Sequence, residues 1–409
     1  MSYTSFRELL KGNIGVMVLT AGLWTLAGSL TGPFFSLYVL ALGGSYIDVG
    51  VIAGVRAVVG ILPHFFGGYL ADAIGRKKLL YGMSYLLCLD QLLFAFAPRY
   101  DFLLVVATLD SLWGGLREPA FFALVADSTT PENRALAYAM QQVIPPLFGI
   151  FSSYIGGVLI DTHGVVAAMR ISYVCVFITS LCASTLRWRL LRETLVRDPE
   201  TKKETSIGVA PTIDGFRTAF KTLPRALWLF FLLSTILNFA YSLSGPFFVT
   251  YASDDLRLSA SQWGLISMLQ TLISTLVRLP AALASDRHGR MKLILPSLLC
   301  VPLTYVLFVT SASFELAVVS LMGSAFLDAL RGPASQAMLV DLSKKEYRGR
   351  INALLSVPNA LAGSAANVLG GILSVQISTS APFFLSSALI FCAAVYAYVT
   401  IKEPENREE

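Results

Sequence analysis

The sequence predicts an all-α membrane protein with twelve transmembrane helices in two pseudo-symmetric six-helix bundles. Of its 409 residues, 55% are hydrophobic and only 14% are charged, and the mean hydropathy is +0.66. A soluble domain carries about 25% charged residues, so a chain this apolar requires lipid around it. Three observations support the prediction: long apolar runs, a polar stretch that divides them six and six, and a repeat of the first half in the second.

The apolar runs have the length that a membrane-crossing helix needs, which is roughly 20 residues. They are continuous rather than alternating, so they predict helices and not a barrel. The runs lie near residues 14–42, 48–71, 79–97, 102–127, 135–160, 167–188, 226–252, 260–284, 292–310, 314–340, 350–376 and 380–400. We therefore divide the chain into an N-terminal six-helix bundle, a cytoplasmic linker and a C-terminal six-helix bundle, over residues 1–190, 191–225 and 226–409.

The lysines and arginines are distributed very unevenly between the two sides of the predicted membrane. Of 31 such residues, all but seven fall on the side of the N-terminus. The exceptions are Arg56, Arg117, Arg278 and Arg331 within spans, and Arg99, Arg170 and Arg257 on the other side. This bias predicts a multi-pass protein of the cell membrane with both termini in the cytoplasm. The net charge of +5 therefore reflects topology, and no nucleic-acid partner is expected.

The residues that could carry enzymatic chemistry are few and scattered. Only three histidines occur, His64, His163 and His288, and their spacing does not suit a metal site. The five cysteines all fall within predicted spans, where small apolar packing residues are expected. The sequence has neither a nucleophile elbow nor a nucleotide-binding glycine loop. We expect no enzyme activity and no cofactor, and a monomer whose partners are membrane lipids, protons and a small-molecule substrate.

The two halves of the chain repeat each other in sequence. Residues 29–35 (Ser-Leu-Thr-Gly-Pro-Phe-Phe) match residues 242–248 (Ser-Leu-Ser-Gly-Pro-Phe-Phe) at an offset of 213. The loop at 72–78 matches the loop at 286–292 at an offset of 214, and this offset persists through later helices. Because each half begins on the same side, this is a parallel repeat about an axis along the membrane normal. A substrate path between the halves follows from that arrangement.

The loop after the second helix carries a recognisable motif. Residues 68–78 read Gly-Tyr-Leu-Ala-Asp-Ala-Ile-Gly-Arg-Lys-Lys, which resembles the signature loop of the major facilitator superfamily, and residues 286–292 resemble its weaker second copy. The resemblance implies a charge cluster that latches the outward-open state. Its charged members would be Asp72, Arg76 and Asp127 in the first half, and Asp286, Arg290 and Asp341 in the second, with Gly75 and Gly289 at the turns. The alternative is that these residues only anchor helix ends and set topology.

Two departures separate this sequence from the drug–proton antiporters of that superfamily. Where those proteins often carry an arginine in the fourth helix, this sequence has Asp110, four residues before Gly114. The antiporter signature of the fifth helix ends Gly-Pro-x-x-Gly-Gly, whereas residues 152–157 read Ser-Ser-Tyr-Ile-Gly-Gly. These differences leave the choice between an exporter and another type of carrier open.

Ionisable side chains within the predicted spans are candidates for function, because a charge in lipid is costly unless it meets a partner or a water-filled path. The candidates for proton coupling are Asp110, then Glu118 and Asp328, then Asp90. A buried carboxyl group can hold a proton near neutral pH. The alternative is a pair of permanent salt bridges, Asp110 with Arg117 and Asp328 with Arg331.

The resemblance further implies that helices one, four, seven and ten line a central substrate cavity. The candidate cavity residues are Trp24, Phe34, Tyr38, Arg56, Trp113, Arg117, Asn238, Tyr241, Phe248 and Arg331. The main hypothesis is a secondary transporter that exports small amphiphilic or drug-like compounds in exchange for protons. One alternative is a carrier of a polar metabolite or organic anion, and another is a non-transporting sensor or lipid-handling protein.

The repeat also shows where the two halves differ. In the common register Asp110 corresponds to Ser324, Arg56 to Gln270 and His64 to Arg278. These unmatched positions are where we expect substrate specificity to reside.

Overall fold

The fold consists of long helices, as the sequence predicts. The computed structural model describes residues 9–130, 133–195, 225–342 and 348–401, except for the side chains of residues 65, 135 and 348–354. The described residues form twelve helical spans. They are α1 (Asn13–Ala41), α2 (Tyr46–Val59 and Ile61–Ile74), α3 (Arg76–Ala95), α4 (Tyr100–Asp127), α5 (Arg134–Gly149 and Ser152–His163), α6 (Val165–Leu190), α7 (Arg225–Asp254), α8 (Ala260–His288), α9 (Met291–Val309), α10 (Phe314–Asp341), α11 (Arg348–Gln376) and α12 (Ala381–Thr400).

Eight spans within the described part of the chain are long and apolar enough by composition to cross a membrane. The remaining helices include α3, α4, α10 and α11, which are of similar length and carry more polar side chains. The predicted fold class, twelve helices in two bundles, is confirmed. Most of the predicted linker, 191–225, lies outside the described residues.

The helices assemble into two bundles with the same internal neighbours. In the first, α1 packs on α5 and α6, α3 packs on α4 and α6, and α2 packs on α4. In the second, α7 packs on α11 and α12, α9 packs on α10 and α12, and α8 packs on α10. The bundles meet through α2 against α11 and through α5 against α8. The repeat in the sequence therefore corresponds to a repeat in three dimensions.

Local backbone structure follows the repeat closely. The Gly-Pro-Phe triplets in α1 and α7 form short 3-10 turns, Gly32–Phe34 and Gly245–Phe247. Proline cannot donate the backbone hydrogen bond of a regular helix, so a break occurs at each triplet. Gly75 and Gly289 join helices with φ of 108° and 105°, a region that other residues rarely adopt. We call the side of the molecule that carries these two turns the turn face, and the other side the opposite face.

Close helix contacts join the two bundles at the opposite face. A Cβ atom added at Gly157 of α5 would lie 2.2 Å from the carbonyl oxygen of Ala260, and one added at Gly371 of α11 would lie 2.6 Å from that of Tyr46. These two contacts are related by the repeat. Small residues let helix backbones approach this closely in a membrane. The two bundles are therefore packed together at the opposite face.

Candidate functional site

A central cavity of about 770 Å³ lies between the two bundles. Its end near the opposite face is closed by two hydrogen bonds between the bundles. Ser36 donates to the carbonyl oxygen of Pro246 over 2.7 Å, and the indole of Trp263 donates to the carbonyl oxygen of Pro33 over 3.1 Å. The cavity wall reaches along α8 from Trp263 to Arg278, which is about 22 Å at 1.5 Å per residue. The cavity therefore extends from the closed end towards the turn face.

The wall of this cavity is rich in hydroxyl groups and glycine. On α8 its residues are Trp263, Ser267, Gln270, Thr271, Ser274, Thr275 and Arg278, and on α1 they include Thr25, Gly28, Ser29, Gly32, Pro33 and Ser36. The α8 positions recur at the spacing of one helical face. Our prediction of cavity residues missed this stripe, although its period of polar residues in an apolar helix was visible in the sequence. Only the unmatched positions Gln270 and Arg278 had been singled out there.

An ion pair joins α2 to α4 inside the first bundle. Nη2 of Arg56 donates to Oδ2 of Asp110 over 3.4 Å, and the Arg56 guanidinium also lies 5.5 Å from the centre of the Phe35 ring on α1. The sequence suggested Arg117 as the partner of Asp110, but the 3.4 Å contact is made by Arg56. The pair and the aromatic contact together connect three helices, α1, α2 and α4.

The other three candidate proton carriers lie in different surroundings. Glu118 lies 3.6 Å from His64, and Asp328 both lines the central cavity and pairs with Arg331 over 3.2 Å. Asp90 of α3 is only 3% exposed, and its Oδ2 has no hydrogen-bond partner among the described residues. Of the four carboxyl groups, only Asp328 is part of the cavity wall.

The predicted cavity residues fall into four groups, of which the first three follow here. Phe248 lines the central cavity. Asn238, Tyr241 and Arg331 line a smaller pocket of about 330 Å³ within the second bundle. Trp24, Trp113 and Arg117 are partly buried in the first bundle, and Arg56 is exposed.

Phe34 and Tyr38, which we also predicted to line the cavity, are fully buried in the hydrophobic core near the opposite face. The Tyr38 hydroxyl donates to the carbonyl oxygen of Phe94, so its polar end is satisfied inside the bundle. In this conformation neither side chain reaches the cavity.

The charged cluster at each turn lies within its own bundle. Arg76 pairs with Asp127 and, over 3.6 Å, with Asp72. In the second half Arg290 pairs with Asp286 and, over 3.1 Å, with Asp341. Each cluster joins the end of one helix, the start of the next and the end of a third, and Gly75 or Gly289 makes the turn between the first two.

A polar cavity between two pseudo-symmetric helical bundles, closed at one face, defines a membrane transporter. The sequence matches the Major Facilitator Superfamily over residues 17–252 and 230–409, and the chain belongs to that family. Its relatives and structural neighbours are transporters rather than enzymes.

Among curated proteins, the chain is similar to the multidrug resistance protein MdtG of Dickeya zeae. The two are 27% identical over 412 residues, which cover 93% of this chain and 92% of that protein. It is also similar to an uncharacterized MFS-type transporter of Methanocaldococcus jannaschii, with 22% identity over 94% of this chain and 93% of that one.

Solved structures show the same fold. The bacterial homologue of the human lysosomal transporter Spinster, inward-facing and occupied, has a TM-score of 0.73 and 13% identity, covering 98% of this chain and 96% of that chain. The inward-open xylose transporter XylE from E. coli also has a TM-score of 0.73 and 13% identity, covering 98% of each chain. Because these two neighbours are different transporters and each is only 13% identical to this chain, the likeness concerns the fold and not the substrate.

Proposed function

We propose that the chain is a secondary active transporter that works by alternating access and exports small amphiphilic or drug-like compounds in exchange for protons. The observation that carries the proposal is the ion pair of Arg56 with Asp110, 3.4 Å apart within the first bundle. A carboxylate in this setting can exchange its arginine partner for a proton. The multidrug resistance name of the MdtG relatives supports export of drug-like compounds.

Proton binding has a structural consequence in this arrangement. When Asp110 is protonated, its attraction for the Arg56 guanidinium falls, and the Phe35 ring 5.5 Å away remains as a cation–π partner. The link between α2 and α4 weakens while the contact to α1 stays. Since α2 also forms the contact with α11 at the opposite face, protonation of Asp110 is positioned to bias the packing of the two bundles.

The cavity suits a drug-sized molecule of mixed polarity. Its volume of about 770 Å³ lies within the range of small-molecule sites, about 300–1,000 Å³. Hydroxyl groups on α1 and α8 can bind polar atoms of a substrate, while Phe248 and Trp263 offer apolar surface. This combination supports recognition of amphiphilic molecules.

The uneven lysines and arginines orient the protein in our proposal. The turn face is then cytoplasmic, both termini lie in the cytoplasm of a cell-membrane protein, and the cavity is accessible from inside. The clusters around Arg76 and Arg290 would act as latches when the two bundles close at the turn face. We assign this role to Asp72, Gly75, Arg76 and Asp127, and to Asp286, Gly289, Arg290 and Asp341. The transporting unit in this proposal is a monomer.

The test is transport by the purified protein in proteoliposomes with an imposed pH gradient. Three dansyl probes of equal chain length serve as substrates: dansylaminoundecanoate, its methyl ester and the matching amine. We expect at least one probe to move against its gradient when protons flow the other way, and a pH dye trapped inside should report the counterflow.

The variant Asp110→Asn separates coupling from binding. We expect it to exchange probe across the membrane without a gradient but to lose movement driven by protons. If Asp110→Asn retained proton-driven transport, the assignment of Asp110 would be wrong. If the wild-type protein moved none of the three probes under a pH gradient of either direction, the proposed export function would be wrong.

A second candidate function, the carrier of an organic anion, is favoured by one observation. Arg117 lies partly buried on α4 without a carboxylate at ion-pair distance among the described residues. An amphiphile that carries an anionic group would be a substrate for both candidate functions, so the two proposals are compatible.

A further inference from the structure

The guanidinium of Arg117 has unusual surroundings for a cation inside a membrane protein. It lies 5.5 Å from the centre of the Trp24 ring on α1. The two carboxylates nearest to it in sequence, Asp110 and Glu118, are within electrostatic range of Arg117. Their ion pairs are with other residues, Asp110 with Arg56 at 3.4 Å and Glu118 with His64 at 3.6 Å. A cation–π contact contributes about 0.5–2 kcal/mol, which is less than the cost of a charge in the bilayer, several kcal/mol.

The second half of the molecule offers an internal comparison. Arg331, which corresponds to Arg117 in the repeat, lies 5.0 Å from the Tyr241 ring and also pairs with Asp328 over 3.2 Å. The Tyr241 hydroxyl donates to the same carboxylate over 3.0 Å. Arg331 is therefore neutralised within its own bundle. In the repeat register the position of Asp328 is occupied in the first half by Gly114, so Arg117 lacks the equivalent carboxylate.

The space left by the missing side chain is open. A Cβ atom added at Gly114 would have no heavy atom within 4 Å beyond its chain neighbours and the backbone of its own helix turns. Gly114 precedes Arg117 by three residues, so the two share a face of α4. The absent carboxylate thus leaves room beside the guanidinium for a group of about that size.

Two further groups in this region would favour a negative charge. The indole Nε1 of Trp24 is buried without a hydrogen-bond partner among the described residues, and such donors rarely go unpaired. A second cation, Arg187 of α6, is 3% exposed and within electrostatic range of Arg117. Arg187 donates only to hydroxyl groups in the contacts described for it, those of Thr20 and Ser84.

The position of Trp24 connects this region to the central cavity. Thr25 and Gly28, which follow Trp24 by one and four residues, line that cavity. Because residues four apart lie on the same helix face, Trp24 continues the cavity wall of α1 by one turn towards the turn face. A molecule in the cavity could therefore extend a charged end towards Arg117.

We propose that the substrates are amphiphiles with an anionic group, a carboxylate or a phosphate-like oxyanion, and that Arg117 binds this group beside Gly114. Trp24 Nε1 donates a further hydrogen bond, and the apolar body occupies the cavity. This inference rests on the proposed transport function, because it names the substrate class of that cavity.

The test compares binding of dansylaminoundecanoate with binding of its methyl ester, using energy transfer from tryptophan to dansyl in the purified, full-length protein. We expect the wild-type protein to bind the acid at least about tenfold more tightly than the ester. Arg117→Gln should lose this preference and leave ester affinity within about twofold, while Arg117→Lys should keep part of it, since a lysine retains the charge without the planar fork.

A matched pair of variants at Gly114 tests the charge mechanism. Gly114→Asp recreates the pair seen between Asp328 and Arg331 and should abolish the preference for the acid. Gly114→Ala adds only a Cβ, for which the structure has room, leaves the space beside Arg117 open and should keep the preference. Melting temperature and gel filtration identify any variant that fails to fold. Equal loss of acid and ester binding in Arg117→Gln, or equal binding of both by the wild-type protein, would overturn the inference.

The same probes separate this inference from the proposed function. If the amine or ester is driven by protons and the acid does not bind preferentially, transport stands and the anion site is wrong. If the acid binds through Arg117 but no probe is moved by any gradient, the anion site stands and the transport function is wrong.

Discussion

Arg56 on α2 and Asp110 on α4 form the ion pair that ties the helix at the bundle interface to the interior of the first bundle, at 3.4 Å between Nη2 and Oδ2. Neither residue has a charged counterpart in the second half, where Gln270 and Ser324 occupy the related positions. Gln270 instead donates to the carbonyl oxygen of Leu321. The pair is therefore a feature added to one half of a symmetric scaffold.

A double-mutant cycle on this pair has a definite expected outcome. Arg56→Gln alone leaves Asp110 without its partner, whereas Arg56→Gln combined with Asp110→Asn leaves two neutral groups. We expect the double variant to be more stable than Arg56→Gln alone by on the order of 1 kcal/mol, since an unpaired charge costs more than a lost pair. Thermal unfolding in detergent measures the difference. If the loss of stability in the double variant equalled the sum of the losses in the two single variants, the two side chains would not interact.

The sequence predicted the scaffold well because the repeat constrains both halves together. The Ser-x-x-Gly-Pro-Phe-Phe segments identified by their offset of 213 residues became matching 3-10 turns. The symmetry extends to details that were not predicted: Tyr38 and Tyr251 each donate a hydroxyl hydrogen bond to a carbonyl oxygen, of Phe94 and Val309, on the neighbouring third helix of its half.

The partners of the charged residues could not be predicted in the same way. Helical spacing places Asp110 and Arg117 on one face of α4, but it does not say which residue of another helix faces them. Whether Arg56 or Arg117 approaches Asp110 depends on how α2 and α4 are placed along each other. Likewise, Phe34 and Tyr38 were expected at the cavity because they are aromatic residues of α1, and the structure places both in the core.

The close approach at Gly157 predicts a shift in conformation when a side chain is added. A Cβ there would lie 2.2 Å from the carbonyl oxygen of Ala260, which is backbone and cannot move aside. We expect Gly157→Ala to favour opening at the opposite face. Spin labels at Pro98 and Ala312, which are exposed in loops of different bundles at that face, report the distance between the bundles. A larger share of molecules should show the long distance between the labels than in the wild-type protein.

The control for this experiment is Gly82→Ala on α3, where an added Cβ meets no other residue within 4 Å. This variant should give the wild-type distance distribution. If Gly157→Ala gave the same distribution as Gly82→Ala, the glycine contact would not determine closure.

The cluster around Arg290 predicts an order of stability for two acidic residues. The side chain of Asp341 is 17% exposed and that of Asp286 is 64% exposed, although both pair with Arg290. Because solvent screens an exposed pair, Asp286→Asn should cost less than about 1 kcal/mol. Asp341→Asn should cost more, about 1–3 kcal/mol, since it removes a partly buried charge-assisted hydrogen bond. Thermal unfolding of both variants gives the order, and a larger loss for Asp286→Asn would contradict it.

The contacts of Glu193 predict that the start of α3 depends on the segment that follows α6. Its carboxylate accepts hydrogen bonds from the backbone amides of Arg76 and Lys77, over 3.1 and 3.2 Å, at the start of α3. Glu193→Gln keeps the shape but removes the charge that interacts with the helix terminus. We expect a loss of about 0.5–1 kcal/mol in stability. Protection of the Arg76 and Lys77 amides from hydrogen exchange should fall with it, and unchanged protection would rule out the cap.

Besides the close approach at Gly157, the contacts of Asp161 predict an electrostatic contribution to closure at the opposite face. From the end of α5 it accepts hydrogen bonds from the backbone amides of Ala260 and Ser261, over 2.9 and 2.8 Å, at the start of α8 in the other bundle. A carboxylate at a helix N-terminus is favoured by the helix dipole. The related position in the second half is Val375, so the repeat does not supply a second copy of this contact.

Removing the charge should therefore weaken one side of the closed interface without adding bulk. We expect Asp161→Asn to raise the population open at the opposite face by about threefold to tenfold, equivalent to roughly 0.6–1.4 kcal/mol, as measured with the same label pair. Asp101→Asn is the matched control, because Asp101 lies on the same face but pairs with Arg99 inside its own bundle. An equal shift in both variants would mean that general surface charge, and not the contact between Asp161 and α8, determines the equilibrium.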